Sequence, residues 1–268
     1  MAAVTVAMVN QKGGVGKSLC TICTARAASH YLGARVLVVD MDPQGNATDA
    51  LAREPLEPGV VTLADAITPG SDVTLREVIV PTLWEGVELA PGGPTLSVAD
   101  RHLVAADTGR EHHLRDALAP VGGDYDLILV DNPPTLLGQL MINSLTAADA
   151  AVLVTEAHKW SGDGLALLGR TIAGVRKYHN RDLRIIGTIV NKWRDTASAA
   201  RHLGEITAGI TRHFPGVEVW TENRIPLWVG ISDSIDDGIA LDQAALRLKV
   251  LGEDTFRPIA ERMLKAAA

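Results

Sequence analysis

The chain has 268 residues, with 25 Lys and Arg against 32 Asp and Glu, a net charge of −7, and 47% hydrophobic content. That balance fits a globular chain with a sizeable core. It excludes a general electrostatic pull toward nucleic acid or anionic lipid, so DNA binding would need a local basic patch. No run of about 18 apolar residues offers a membrane span.

The first predicted element is a strand over Val4–Val9, too short and too close to a glycine-rich loop to read as a secretory signal, so a cytoplasmic protein is expected. The loop follows at once: Gln11-Lys12-Gly13-Gly14-Val15-Gly16-Lys17-Ser18. A helix over Lys17–Leu32 comes next. Strand, glycine-rich turn and helix form the context in which backbone N–H groups and a helix start bind phosphate. Lys17 would reach the terminal phosphates and Ser18 would ligate Mg²⁺. The general pattern has Gly where Gln11 stands, and the loop carries a second lysine, Lys12. Lys12 is poorly placed to fold back onto its own nucleotide, but it can cross a dimer interface to a partner's phosphates. Cys20 and Cys23 lie one turn apart on the helix, and the core reading is preferred over metal or disulfide.

Arg35–Asp40 is an apolar strand ending in acid, followed by Met41-Asp42-Pro43-Gln44-Gly45-Asn46. Asp40 and Asp42 would face the phosphate pocket, holding Mg²⁺ water or orienting an attacking water. Thr48–Gly86 is proline-rich and reads as connecting helices and loops. Val87–Ala90 is a short strand, and His112–Leu118 a helix. Leu127–Asp131 is a second apolar strand ending in acid, within Tyr125–Pro134, with the character of a Walker B strand that presents Asp131 beside the metal. Ala150–Thr155 and Arg184–Asn191 are strands separated by a helix near Gly164–Tyr178. Apolar strands alternating with helices predict an α/β fold, a single doubly wound domain over residues 1–268 with a mostly parallel central sheet flanked by helices. Ligands then sit at the carboxyl ends of the strands.

The three motifs Lys12–Ser18, Asp40–Thr48 and Tyr125–Pro134 together resemble the ParA/MinD family of deviant Walker ATPases, most of all its ParA partition branch. The order of elements fits from Val4 to about Leu264. The resemblance implies a P-loop NTPase using ATP and Mg²⁺. The nucleotide would be held by Gln11, Lys12, Gly13, Gly14, Val15, Gly16, Lys17, Ser18 and Leu19, with Asn191 and Pro226 near the base. Lys12, Lys17 and Asp42 would carry catalysis, and Ser18, Asp40, Asp42 and Asp131 would surround the metal. Lys12 would contact nucleotide across an ATP-sandwich homodimer. The implied role is partition of plasmid, phage or chromosome DNA with a ParB-like centromere-binding partner, with nucleoid association.

Two departures stand out. Leu19 replaces a usual hydroxyl residue, removing one hydrogen bond to the α-phosphate, worth about 0.5–1.5 kcal/mol. Leu227 and Gly230 stand where relatives commonly carry DNA-binding arginines, and Asp233, Asp236, Asp237 and Asp242 follow. That surface looks poor for non-specific DNA, whose affinity depends on phosphate neutralisation. Other basic residues, among them Arg170, Arg176, Lys177, Arg181, Arg184, Lys192, Arg194, Arg201, Arg212 and Arg224, form another patch or solvate helix faces. Phe256, Ile259, Ala260, Met263 and Leu264 share one helical face, read as packing on the domain in preference to a membrane contact. The alternatives are a MinD-like membrane-associated positioning ATPase and a diverged, non-DNA-binding nucleotide-dependent interaction protein.

Overall fold

A computed structural model describes residues 3–10, 12–57, 59–135, 138–157 and 162–267. Strand β1 (Val4–Val9) enters through the glycine-rich loop into helix α1 (Lys17–Leu32). Strand β2 (Val36–Asp40) leads to α2 (Asn46–Leu51), α3 (Leu63–Ile67) and α4 (Leu75–Val78). Strands β3 (Val80–Pro81) and β4 (Val87–Ala90) precede α5 (Leu96–Ala105) and α6 (His113–Leu118). Then come β5 (Leu127–Asp131), α7 (Gln139–Ala147), β6 (Ala150–Glu156), α8 (Gly162–Tyr178), β7 (Arg184–Asn191) and α9 (Ala197–His213). The chain closes with α10 (Val229–Asp236), α11 (Leu246–Leu251) and α12 (Arg257–Leu264).

The strands form one seven-stranded sheet in the order β3-β4-β2-β5-β1-β6-β7. All pairings are parallel except that of the two-residue edge strand β3 with β4. The central strands β1, β2 and β5 are buried along their whole length, which is why their sequences run apolar without alternation. Side chains on the two faces enter separate cores. One holds Val6, Met8, Val38 and Leu129 under α1 and α12; others hold Leu37, Val39 and Val130, or Ala7 and Val9, under helices of the opposite face. The expected doubly wound architecture is the observed one.

Cys20 and Cys23 are free thiols, fully or almost fully buried in the α1 core. Burial raises both thiols far above their usual range, so they behave as small apolar groups. Phe256, Ile259, Ala260 and Met263 have no exposed surface. They pack against α1, with Leu264 at the margin of the same core. Among the described residues no helix is long and apolar enough to cross a membrane.

Candidate phosphate and metal site

The carboxyl ends of β1, β2, β5 and β7 converge on a cavity of about 400 Å³. It is lined by Gly13, Gly14, Gly16, Lys17, Ser18 and Leu19 from the loop and α1, by Asp42, Gln44 and Asn46 after β2, and by Pro134 after β5. The β7 end and the segment before α10 complete it with Asn191, Lys192, Pro226, Leu227, Trp228, Ile231 and Ser232.

The loop's path follows from two glycines in the left-handed region, Gly14 at φ 74° and Gly16 at φ 86°. Gly16 is also the N-cap of α1, and no side chain caps that helix start. Its N–H groups therefore face the cavity mouth as donors. Asn191 fixes the loop from the far strand. Its Nδ2 donates to the Val15 carbonyl at 2.8 Å, and its Oδ1 accepts the Lys192 N–H at 2.8 Å. A Cβ on Gly16 would overlap that Asn191 amide nitrogen. Asn191 thus lines the cavity, but both of its amide atoms are already engaged, the nitrogen by the loop and the oxygen by the neighbouring Lys192 N–H. Pro226 lines the cavity beside it.

Lys17 is 6% exposed. Burial lowers its pKa, while Asp131 and Asp42 nearby resist the shift. Asp40 and Asp131 are register partners at the ends of β2 and β5, which places two buried carboxylates side by side. Burial holds Asp131 up at about 8, aided by the Asp40 charge and opposed by Ser18 and Lys17. Burial likewise raises Asp40 to about 6, against the pull of its hydrogen bonds. Neither Asp131 oxygen makes a well-formed hydrogen bond, although the residue has no exposed surface. An orphaned buried carboxylate beside a hydroxyl at a helix start suits a hydrated divalent cation. Mg²⁺ uses one or two protein groups plus phosphates and waters, and among the described residues no group of three or more His, Cys, Asp or Glu forms a self-sufficient cage. The site fits such a cation held together with phosphate.

Asp40, expected near the metal, lies beside Asp131 and is also engaged by the loop after β2. Its Oδ2 accepts both the Thr48 N–H and the Thr48 hydroxyl at 2.8 Å, and its Oδ1 accepts the Asp42 N–H at 3.1 Å. Three donors leave it building the loop after β2, because burial without them would be prohibitive. Asp42 is 6% exposed and reaches the cavity, with Oδ1 accepting the Gln44 N–H at 2.9 Å. Leu19 lies half-buried, between the cavity and the α1 core. Gln11 falls outside the described residues.

Lys12 directly precedes the lining residue Gly13 and has 57% of its side chain exposed, its Nζ 3.5 Å from Glu156. Its backbone N–H is anchored on Asn10 Oδ1 at 2.9 Å. Sequence reading missed Glu156 and Lys192 in this arrangement. The available signal was position: each ends a parallel strand, or follows one directly, on the ligand-binding side of the sheet. It also missed Trp228, which lines the cavity while Arg247 stacks on its ring at 3.4 Å.

The residues after Pro226 lie at the surface. Leu227 is 39% and Val229 74% exposed, and Gly230 faces open space. Several basic residues are occupied elsewhere: Arg176 donates to the Leu183 carbonyl, Arg224 stacks on Trp193, and Lys192 pairs with Glu156.

A parallel sheet with a phosphate loop after β1 and acids after β2 and β5 defines a P-loop nucleotide-binding protein. A family model described as an AAA domain matches residues 3–185. The Soj chromosome-partitioning ATPase of Thermus thermophilus is 34% identical over 259 residues, spanning 97% of this chain and 94% of its own. The ParA chromosome partitioning protein of Myxococcus xanthus is 35% identical over 205 residues, 76% of this chain and 70% of its own. The chain belongs to this ParA/Soj family of P-loop ATPases. Among solved structures, cobyrinic acid a,c-diamide synthase of Mycobacterium smegmatis, with bound ATP analogue and magnesium, superposes at TM-score 0.79 with 28% identity, covering 98% of this chain and 94% of that one. The ATP complex of a Cyanothece McdA variant superposes at 0.83 with 22% identity over 98% and 96% of the two chains, a likeness of fold.

Proposed function

We propose that this chain is an ATP-dependent dimerising switch in the partition of plasmid, phage or chromosome DNA. Its slow, Mg²⁺-dependent hydrolysis would be stimulated by a ParB-like partner. The observation that carries the reading is the pair of loop lysines in opposite environments. Lys17 is buried in the lining of the cavity, whereas Lys12, at the start of the same loop, has most of its side chain exposed. A second cation there serves phosphate held by another copy of the chain, as an isologous dimer provides it reciprocally.

Within each site the loop N–H groups and Lys17 would bind the β- and γ-phosphates, and Ser18 and Asp131 would hold the cation through its inner and outer coordination. Bound Mg²⁺ supplies charge neutralisation on the phosphates. Asp42, the carboxylate nearest the cavity's open side, would orient or activate the attacking water. Lys12 from the second chain would stabilise charge developing on the transferred phosphoryl.

The burial of Phe256, Ile259 and Met263 argues against a membrane-positioning role, since it leaves α12 no free apolar face. DNA contact, if the dimer makes it, would draw on basic residues other than those expected after Pro226. Sedimentation with ATP, ADP and no nucleotide tests the switch. Dimer with ATP and monomer with ADP is expected; one unchanging species in all three would refute it. Titration with DNA at several salt concentrations then tests the cargo.

A further inference from the structure

Glu156, at the carboxyl end of β6, meets two ammonium groups. Lys192 Nζ lies 2.9 Å from its Oε1 and Lys12 Nζ 3.5 Å from its Oε2, while the Glu156 side chain is only 9% exposed. Lys192 also donates to the Gly14 carbonyl, so it ties β6, β7 and the phosphate loop together. It holds that place in the left-handed conformation at φ 53°, the only described residue other than glycine with positive φ. The two lysines are thus unequal. Lys192 is short-range and doubly bound; Lys12 is longer-range, exposed, and rooted by its backbone on Asn10.

The charge count makes this inequality matter. A buried carboxylate stripped of its only cation is heavily penalised. Among the described residues Glu156 has two, so Lys12 can leave while Lys192 keeps the carboxylate paired. Lys12 is the spare cation of the trio, held at home by a contact of the strength of an exposed ion pair.

We infer that Glu156 is a latch on Lys12: in the single chain it holds the ammonium against β6, and assembly with a second nucleotide-bearing copy draws it off. This rests on the proposal that Lys12 serves a partner's phosphates. Glu156 is then a positioning residue that sets the threshold for assembly by acting through Lys12.

The test uses the full chain and two variants. Glu156→Gln removes the latch charge; Glu156→Asp keeps the charge for Lys192 but withdraws it from Lys12. Trace acetylation of the nucleotide-free protein, read by mass spectrometry, should find Lys12 about 1.4- to fivefold more reactive in both variants, the range for an exposed ion pair. With a non-hydrolysable ATP analogue and Mg²⁺, both should dimerise at a correspondingly lower protein concentration. A purely structural Glu156 would move assembly the other way. ADP affinity reports on the phosphate loop, and if Glu156→Gln loses it, the Glu156→Asp result decides. Unchanged Lys12 reactivity, or an unchanged or weakened dimer in Glu156→Asp with ADP affinity intact, overturns the latch. Failure of the underlying reading looks different: Lys12→Ala would then dimerise as the parent does.

Discussion

Gly16→Ala isolates the contact between the phosphate loop and β7. At φ 86° an alanine bears the left-handed penalty, about 1–2 kcal/mol. Its Cβ would also overlap Asn191 Nδ2, forcing the amide off the Val15 carbonyl it now meets at 2.8 Å. Loss of that hydrogen bond adds about 0.5–1.5 kcal/mol. Gly14→Ala is the internal control, because Gly14 has φ 74° but nothing within 4 Å of where a methyl group would stand. It should suffer the backbone penalty alone. Urea unfolding without nucleotide, followed by tryptophan fluorescence at constant m-value, gives both. Gly16→Ala should be destabilised by about 1.5–3.5 kcal/mol in total, and Gly14→Ala by the smaller backbone part only. Asn191→Ala added to Gly16→Ala should recover none of the hydrogen bond but relieve the overlap, giving clear non-additivity. Equal destabilisation by the two glycine substitutions, or additivity in the double variant, would refute the claim that Asn191 holds the loop.

Two further outcomes follow from the buried acids. Asp131 and Asp40 are held at about 8 and about 6, above the unfolded value, so the folded nucleotide-free protein keeps protons that the unfolded chain has lost. The native state then loses stability as pH rises from about 4 through 8. Asp131→Asn should flatten that loss and raise the thermal midpoint of the nucleotide-free protein at about pH 8.5, with little gain near pH 4; a variant less stable than the parent at the alkaline end would contradict the burial argument. Thr48→Val removes the hydroxyl that donates to Asp40 Oδ2 at 2.8 Å and accepts the Gly92 N–H at 2.9 Å. Leaving those buried groups short of partners should destabilise by about 1–3 kcal/mol in urea, whereas an unchanged midpoint would show that the Thr48 hydroxyl does not hold Asp40 and Gly92 in place.

The sheet was legible because fully buried parallel strands must be apolar throughout, as Val36–Val39 and Leu127–Val130 are. The loop was legible because glycine and lysine spacing is local chemistry. What escaped depended on long-range geometry. Glu156 and Lys192 reach a loop about 140 to 180 residues away, and no local pattern announces such a pairing. Asp40 was expected near the metal from its place at a strand end, and only the fold shows Thr48 returning to hydrogen-bond it. The edge strand Val80–Pro81 is two residues long and carries a proline, too little pattern to read. Helix α9 went unread although Thr196 caps it, accepting the Ala199 N–H at 3.1 Å, with Ala199, Ile206 and Ile210 on its buried face.

The most direct test of the crossing lysine is complementation between two inert variants. Lys12→Ala keeps its own Asp42, and Asp42→Ala keeps a Lys12 to lend. In a reciprocal dimer each site takes Asp42 from one chain and Lys12 from the other, so mixing the two should restore ATP turnover that neither shows alone. A mixture as inactive as its components, with mixed dimers present, would contradict the account.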